Sequence, residues 1–214
     1  KKKDKILLIQ NKALELSLFF SLPASLALII GSEHIISALF GYGSFNEIAV
    51  HNSAKALYFF AIGLPAFSLI KIFSTFFFAN HDTKTPFYIS LLSVILNVII
   101  SIYYFKEMGF IIIPIATSIS SWFNGILLFI FLRKNNLFKF NNIFILRFIK
   151  IIIASSFMGI FFNYLLIYFQ NQLSFDQSIK SFYLILSVLL GLLFYLLISY
   201  WIKAFKTGDF KLKY

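Results

Sequence analysis

From Phe76 to Ile89 the chain reads FFFANHDTKTPFYI. An aspartate, a lysine, a histidine and two threonines interrupt two apolar runs, Ala54–Ala79 and Pro86–Phe105. A helix that crosses a bilayer needs about 20 predominantly apolar residues, and both runs reach that length. The polar knot therefore reads as a turn between two membrane-length helices. Its own chemistry suits a helix start. Pro86 is tolerated at the first helical position, where its missing N–H is not needed. The residue before a proline is pushed toward extended geometry, which predicts Thr85 as the N-cap. Asp82 would meet the positive end of the helix dipole.

Working outward, the same length criterion finds four further spans: Ala13–Ile30, Phe110–Leu132, Phe148–Phe169 and Phe182–Ile202. The runs are too long for strands and do not alternate with period two. Backbone groups in lipid must be satisfied within the segment, so the spans are helices. Composition agrees. The 214 residues are 60% hydrophobic and 20% aromatic, with a mean hydropathy of +0.87. A soluble domain carries about 25% charged residues; this chain carries 13%. Cysteine is absent, which removes disulfide and thiolate chemistry. Three scattered histidines do not make a zinc site. No nucleophile–base pair, phosphate-cradling loop or catalytic metal cluster is visible, so an enzyme and a cofactor are not expected. The sequence predicts an all-α integral membrane protein with six transmembrane helices.

Lys and Arg orient the spans. One side holds Lys1, Lys2, Lys3, Lys5 and Lys12, then Lys84, then Arg133, Lys134, Lys139, Arg147 and Lys150, then Lys203, Lys206, Lys211 and Lys213. The other side holds only Lys55, Lys106 and Lys180. Both chain ends are expected in the cytoplasm. The net charge of +11 then marks a membrane surface and not a nucleic-acid partner, since cytoplasmic basic residues near anionic headgroups gain about 1 kcal/mol each. Gly31–Ser53 is expected as the longest external connection, with SEHIISALFG in it as a short interfacial helix. Lys106–Gly109 reads as a tight external turn and Gln170–Ser181 as a polar external loop. Lys134–Arg147 reads as a basic cytoplasmic loop, which divides the chain into residues 1–134 with four helices and 135–214 with two. The first residue is Lys, not Met, so the chain is expected either to be a fragment or to lack its true N-terminus.

The string FFFANHDTKTP also resembles the cytoplasmic turn of the MurJ/MviN family, lipid II flippases of the bacterial inner membrane. Its motif there is Asp82, Thr83, Lys84, Thr85 and Pro86. Four more stretches resemble the family in the same order and orientation: SLPAS (Ser21–Ser25), ALFGYGSF (Ala38–Phe45), KALYFFAIGLPAFSLIKIF (Lys55–Phe73) and GFIIIPIATSISSWFNGILLFIFLRK (Gly109–Lys134). In the last, Ile112 and Pro114 depart from the family pattern. The resemblance is carried by Leu14–Lys134; beyond it the spans match in number and hydropathy. It implies the ninth to fourteenth helices of a fourteen-helix, two-lobe exporter fold of the MOP superfamily, with the final pair forming a groove for the undecaprenyl tail. Implied partners are lipid II, membrane lipids and the missing N-terminal helices of the same protein. The implied role is moving the precursor of peptidoglycan and cell-wall biogenesis from the cytoplasmic to the periplasmic leaflet by alternating access. Other readings are a different polyprenyl-linked glycan exporter, a multidrug exporter, or a non-transporting membrane assembly subunit.

Within the spans, Lys71 is the one basic residue well inside a helix. An uncompensated charge there costs about 2.5–3.5 kcal/mol or more. Snorkelling to the headgroups and lining a cavity both answer that cost. The resemblance implies the cavity, with Lys71 on the pyrophosphate of the substrate, and Asn124 as a second binding candidate. Asn97 and Ser101 share one helix face at i and i+4, opposite Thr117 on the next helix. Some relatives place a sodium site there, and coupling to a monovalent cation or to the membrane potential would follow. Ser101 stands where those relatives carry a carboxylate, and a hard cation usually wants one. Interhelical hydrogen bonding is the competing reading.

Overall fold

The computed structural model describes residues 2–204; Lys1 and the expected cytoplasmic Lys206, Lys211 and Lys213 lie outside the described residues. Six α-helices follow in order: α1 (Lys2–Phe40), α2 (Glu47–Phe78), α3 (Lys84–Met108), α4 (Ile112–Lys134), α5 (Asn142–Tyr168) and α6 (Lys180–Trp201). A 3₁₀ turn, Gly109–Ile111, joins α3 to α4. Five helical stretches are long and apolar enough to cross a membrane, and one of them, Lys84–Lys134, contains α3, the turn and α4. Large apolar side chains stand outward along them: Ile102 is 72% exposed, Leu197 68% and Trp201 84%. A surface of this kind is stable against lipid and not against water.

Helices α1 and α2 run past their apolar centres. The expected connection Gly31–Ser53 shrinks to residues 41–46, and SEHIISALFG is the continuous end of α1, not a separate interfacial helix. Hydropathy marks where lipid ends, whereas capping marks where a helix ends. Here Asn46 does the capping: its Oδ1 accepts the Ala49 N–H at 2.9 Å. At 1.5 Å per residue, the 39 residues of α1 extend about 58 Å, nearly twice the hydrocarbon thickness of about 30 Å.

The polar turn after α2 also differs in detail from the expectation. Thr83, not Thr85, takes the N-cap position of α3, and its side chain makes no capping bond. Asp82 supplies the acceptor: its Oδ1 receives the Thr85 N–H at 3.0 Å. Hydrogen bonds from the Thr85 backbone and side chain hold the Asp82 carboxyl below its ordinary value. Pro86 lies in the first turn and is buried, where its missing N–H goes unmissed. His81 reverses the chain with φ +58°. At the other end of α3, Gly109 has φ +61°, a conformation that side chains resist, and there the chain doubles back into α4.

Two compact units divide the chain. The first comprises Lys1–Ser21 and Ala56–Phe144. In it α3 and α4 pair antiparallel, tied by Asn97 to Thr117 and by Asn124 to Ser90. Against α4 lies α2, whose Phe59 carbonyl accepts from Ser118 Oγ and whose Ile62 carbonyl accepts from Trp122 Nε1 at 3.0 Å. Below them an aromatic cluster joins Phe73, Phe76, Phe129, Phe138 and Phe140, with Phe138 fully buried. The 135–141 loop carries two of those rings and is pinned to α1 by one side chain. Asn11 Nδ2 donates to the Lys139 carbonyl at 2.9 Å, and Asn11 Oδ1 accepts the Asn141 N–H at 3.0 Å. Asn11→Ala is expected to cost about 1–2 kcal/mol, one to two net hydrogen bonds, and to speed trypsin cleavage after Lys139. Unchanged cleavage would show that the aromatic cluster alone holds the loop.

The second unit comprises Leu22–Lys55 and the chain from Ile145 onward. Its helices meet through small residues. A methyl group on Gly31 would press the Phe162 ring at 2.9 Å, and one on Gly159 would press Ile30 at 3.0 Å. Close approach of this kind is how helices associate where the hydrophobic effect gives no drive.

Candidate functional site

The α3–α4 hairpin, with one face of α2, encloses a polar cleft of about 360 Å³. Ser90, Ser93 and Asn97 enter from α3, Thr117, Ser120 and Asn124 from α4, and Phe67 and Ile70 from α2. Spacings of three and then four residues on both α3 and α4 put these groups on facing stripes. Asn97 Nδ2 donates to Thr117 Oγ1 at 3.1 Å and to Ser120 Oγ at 3.3 Å. Thr117 in turn donates to the Ile113 carbonyl at 2.8 Å. Asn124 is 7% exposed; its Nδ2 reaches Ser90 Oγ at 3.4 Å, while its Oδ1 is buried with no partner among the described residues.

Of the candidates read from the sequence, Asn97, Thr117 and Asn124 come together on this cleft. Ser101 does not line it, and its hydroxyl is buried without a partner among the described residues. Lys71 does not line it either; it is exposed on α2, one turn beyond Phe67. The Asp82–Pro86 motif builds the turn described above and lies outside the cleft.

Sequence reasoning missed the most elaborate polar arrangement. Lys180 had counted only as an external charge, yet it is 1% exposed. Its Nζ donates to the Gly41 carbonyl at 2.6 Å and to the Phe175 carbonyl at 2.7 Å. The same ammonium sits 4.3 Å from the ring centre of Tyr42 and 4.5 Å from that of Phe175, close enough for cation–π attraction. Next to it Ser181 Oγ donates to the Ala38 carbonyl at 2.6 Å and lies 2.8 Å from the Tyr42 hydroxyl. The loop after α1 is thus latched to the start of α6. Gly41 is required for the latch: a β-carbon there would lie 2.6 Å from the Ser37 carbonyl and 3.0 Å from the Phe175 ring. The only signal in the sequence was Gly41 and Tyr42 within ALFGYGSF.

Apolar helices of membrane length, joined by short polar turns and holding buried polar groups on facing stripes, define a multi-pass membrane protein. The family described as "Lipid II flippase MurJ" matches residues 1–184. The chain is 40% identical over 128 residues to the "Probable lipid II flippase MurJ" of Rickettsia prowazekii, covering 60% of this chain and 25% of that protein. It is 30% identical over 202 residues to the "Probable lipid II flippase MurJ" of Rhizobium tropici, covering 94% of this chain and 38% of the relative. Among solved structures, "Lipid II flippase MurJ, inward closed conformation" superposes with a TM-score of 0.75 at 27% identity, over 94% of this chain and 40% of that one. The chain belongs to the MurJ family, whose members are multi-pass inner-membrane proteins. It spans about a quarter to two-fifths of the length of these relatives.

Proposed function

We propose that this chain forms part of a flippase that carries lipid II, the undecaprenyl-pyrophosphate-linked peptidoglycan precursor, from the cytoplasmic to the periplasmic leaflet. The observation that carries the reading is the match to MurJ relatives along 94% of the chain. In this reading α3 and α4 are separate crossings, giving six in a fourteen-helix fold, and the basic ends and the 135–141 loop face the cytoplasm. A net charge of +11 concentrated on one side supports that orientation. Alternating access by rocking of two lobes would expose a polar path to each leaflet in turn, and the facing stripes of α3 and α4 supply polar surface for it. Asn97 and Thr117 bond to each other with no carboxylate at Ser101, which favours an interhelical tie over a cation site.

Depleting the full-length protein tests the reading. Lipid II accumulating in the inner leaflet, followed by lysis, is the expected result; normal distribution of the lipid would refute it. Lys71 belongs to the same proposal as a binding group for the pyrophosphate. It is exposed on α2 in the chain as described, and no acid among the described residues bridges it. Lys71→Ala in the full-length protein is expected to lower complementation at least tenfold, while Lys71→Arg retains most of it, because a phosphate needs the cation more than its shape. Full complementation by the alanine form would remove Lys71 from the site.

A further inference from the structure

A cleft of about 950 Å³ belongs wholly to the second unit. It lies between the end of α1, the start of α2 and the α5–α6 loop. Glu33, His34 and Ser37 come from α1, Glu47 and His51 from α2. No lysine or arginine lines it. Both carboxylates are exposed, and His51 Nδ1 lies 3.6 Å from Glu33 Oε1, a contact that becomes an ion pair only when the imidazole is protonated. Two further polar atoms are buried and unpartnered among the described residues. Ser37 is 6% exposed, and its Oγ has no hydrogen-bond partner among the described residues; nor has the buried Nδ1 of His34. A hydroxyl in a helix usually bonds back to the preceding turn. Ser37 belongs to the lining of the cleft, and its unpaired hydroxyl is a place where a ligand donor restores the missing bond.

We propose that this cleft binds a primary ammonium group carried by a polar ligand. Two carboxylates with no lysine or arginine in the lining select a cation and repel anions. An ammonium brings three donors and no acceptor, which suits carboxylate, hydroxyl and imidazole acceptors together. A metal ion fits less well, since no three histidine, aspartate or glutamate side chains among the described residues are grouped to hold one. The site shares no residue with the α3–α4 cleft and does not depend on the transport reading.

The test uses the full-length protein in lipid nanodiscs, with cadaverine as probe and 1,5-pentanediol as its uncharged counterpart, followed by calorimetry. Cadaverine is expected to bind saturably and the diol not at all. Replacing both acids, Glu33→Gln with Glu47→Gln, is expected to weaken binding about tenfold, because two partly solvated charges are lost. Ser37→Ala is expected to weaken it severalfold at an unchanged melting midpoint. Absence of saturable binding, equal binding of the diol, or an unchanged affinity in the double variant would overturn the proposal. A second measurement does not rely on variants. Carbodiimide coupling of cadaverine, read by peptide mass, is expected at Glu33 or Glu47 ahead of the exposed Glu107 and Asp176; even labelling of all four would also overturn it.

Discussion

Lys180→Met in the full-length protein is expected to lower stability by about 3–5 kcal/mol, among the largest losses a single exchange can produce. Methionine fills most of the lysine stem but brings no donor. The Gly41 and Phe175 carbonyls each lose their partner from the ammonium, at about 1–3 kcal/mol per buried acceptor. The attraction of the cation to the Tyr42 and Phe175 rings is lost as well, about 0.5–2 kcal/mol when desolvated. Chemical denaturation in detergent, with the wild type alongside, reads the difference. Because the partners are carbonyls and rings and not a carboxylate, the loss is expected to be the same in 0.1 M and 1 M salt, unlike that of a surface ion pair. A change below about 0.5 kcal/mol, the range of ordinary surface substitutions, would show that the latch contributes nothing.

Gly63→Val is the second large effect. A β-carbon at Gly63 would sit 2.7 Å from Ser118 Oγ and 3.2 Å from Ser118 Cα. The hydroxyl is already committed to the Phe59 carbonyl on α2, so it yields only by giving up that bond. The Cα belongs to the α4 backbone and yields only if the helices part. Overpacking of this kind costs about 1–3 kcal/mol, and the lost hydrogen bond adds about 1 kcal/mol. The two costs are coupled. Ser118→Ala is expected to relieve part of the damage done by Gly63→Ala, so that the double variant is more stable than the two single losses predict. Strict additivity in that cycle would mean that the two positions do not touch.

Both effects sit where the sequence was only partly readable. The centres of the helices were legible, because twenty apolar residues in a row have few alternatives to a span. The facing of Asn97 and Thr117 followed from helical spacing once two antiparallel helices were placed. Helix ends were not legible, since they depend on which side chain reaches which N–H. That is why Asp82 and Asn46 cap where Thr85 and a long loop were expected. Lys180 was hidden for a different reason. Charge counting treats every lysine as solvated, and its partners here are backbone carbonyls and rings gathered by the folding of two loops. Backbone partners leave no pattern in the residue types. The cleft around Glu33 and Glu47 was hidden in the same way: its parts come from three segments of chain that only tertiary structure assembles.

The overrun of α1 has a practical consequence. The ten residues from Gly31 to Phe40 continue the helix about 15 Å beyond its apolar centre at 1.5 Å per residue. This stretch is held at its end by bonds to the start of α6 and carries exposed side chains at Glu33, Leu39 and Phe40. It offers a firm epitope where most membrane proteins of this size show only soft loops. A binder raised against it would give single-particle imaging a fixed landmark.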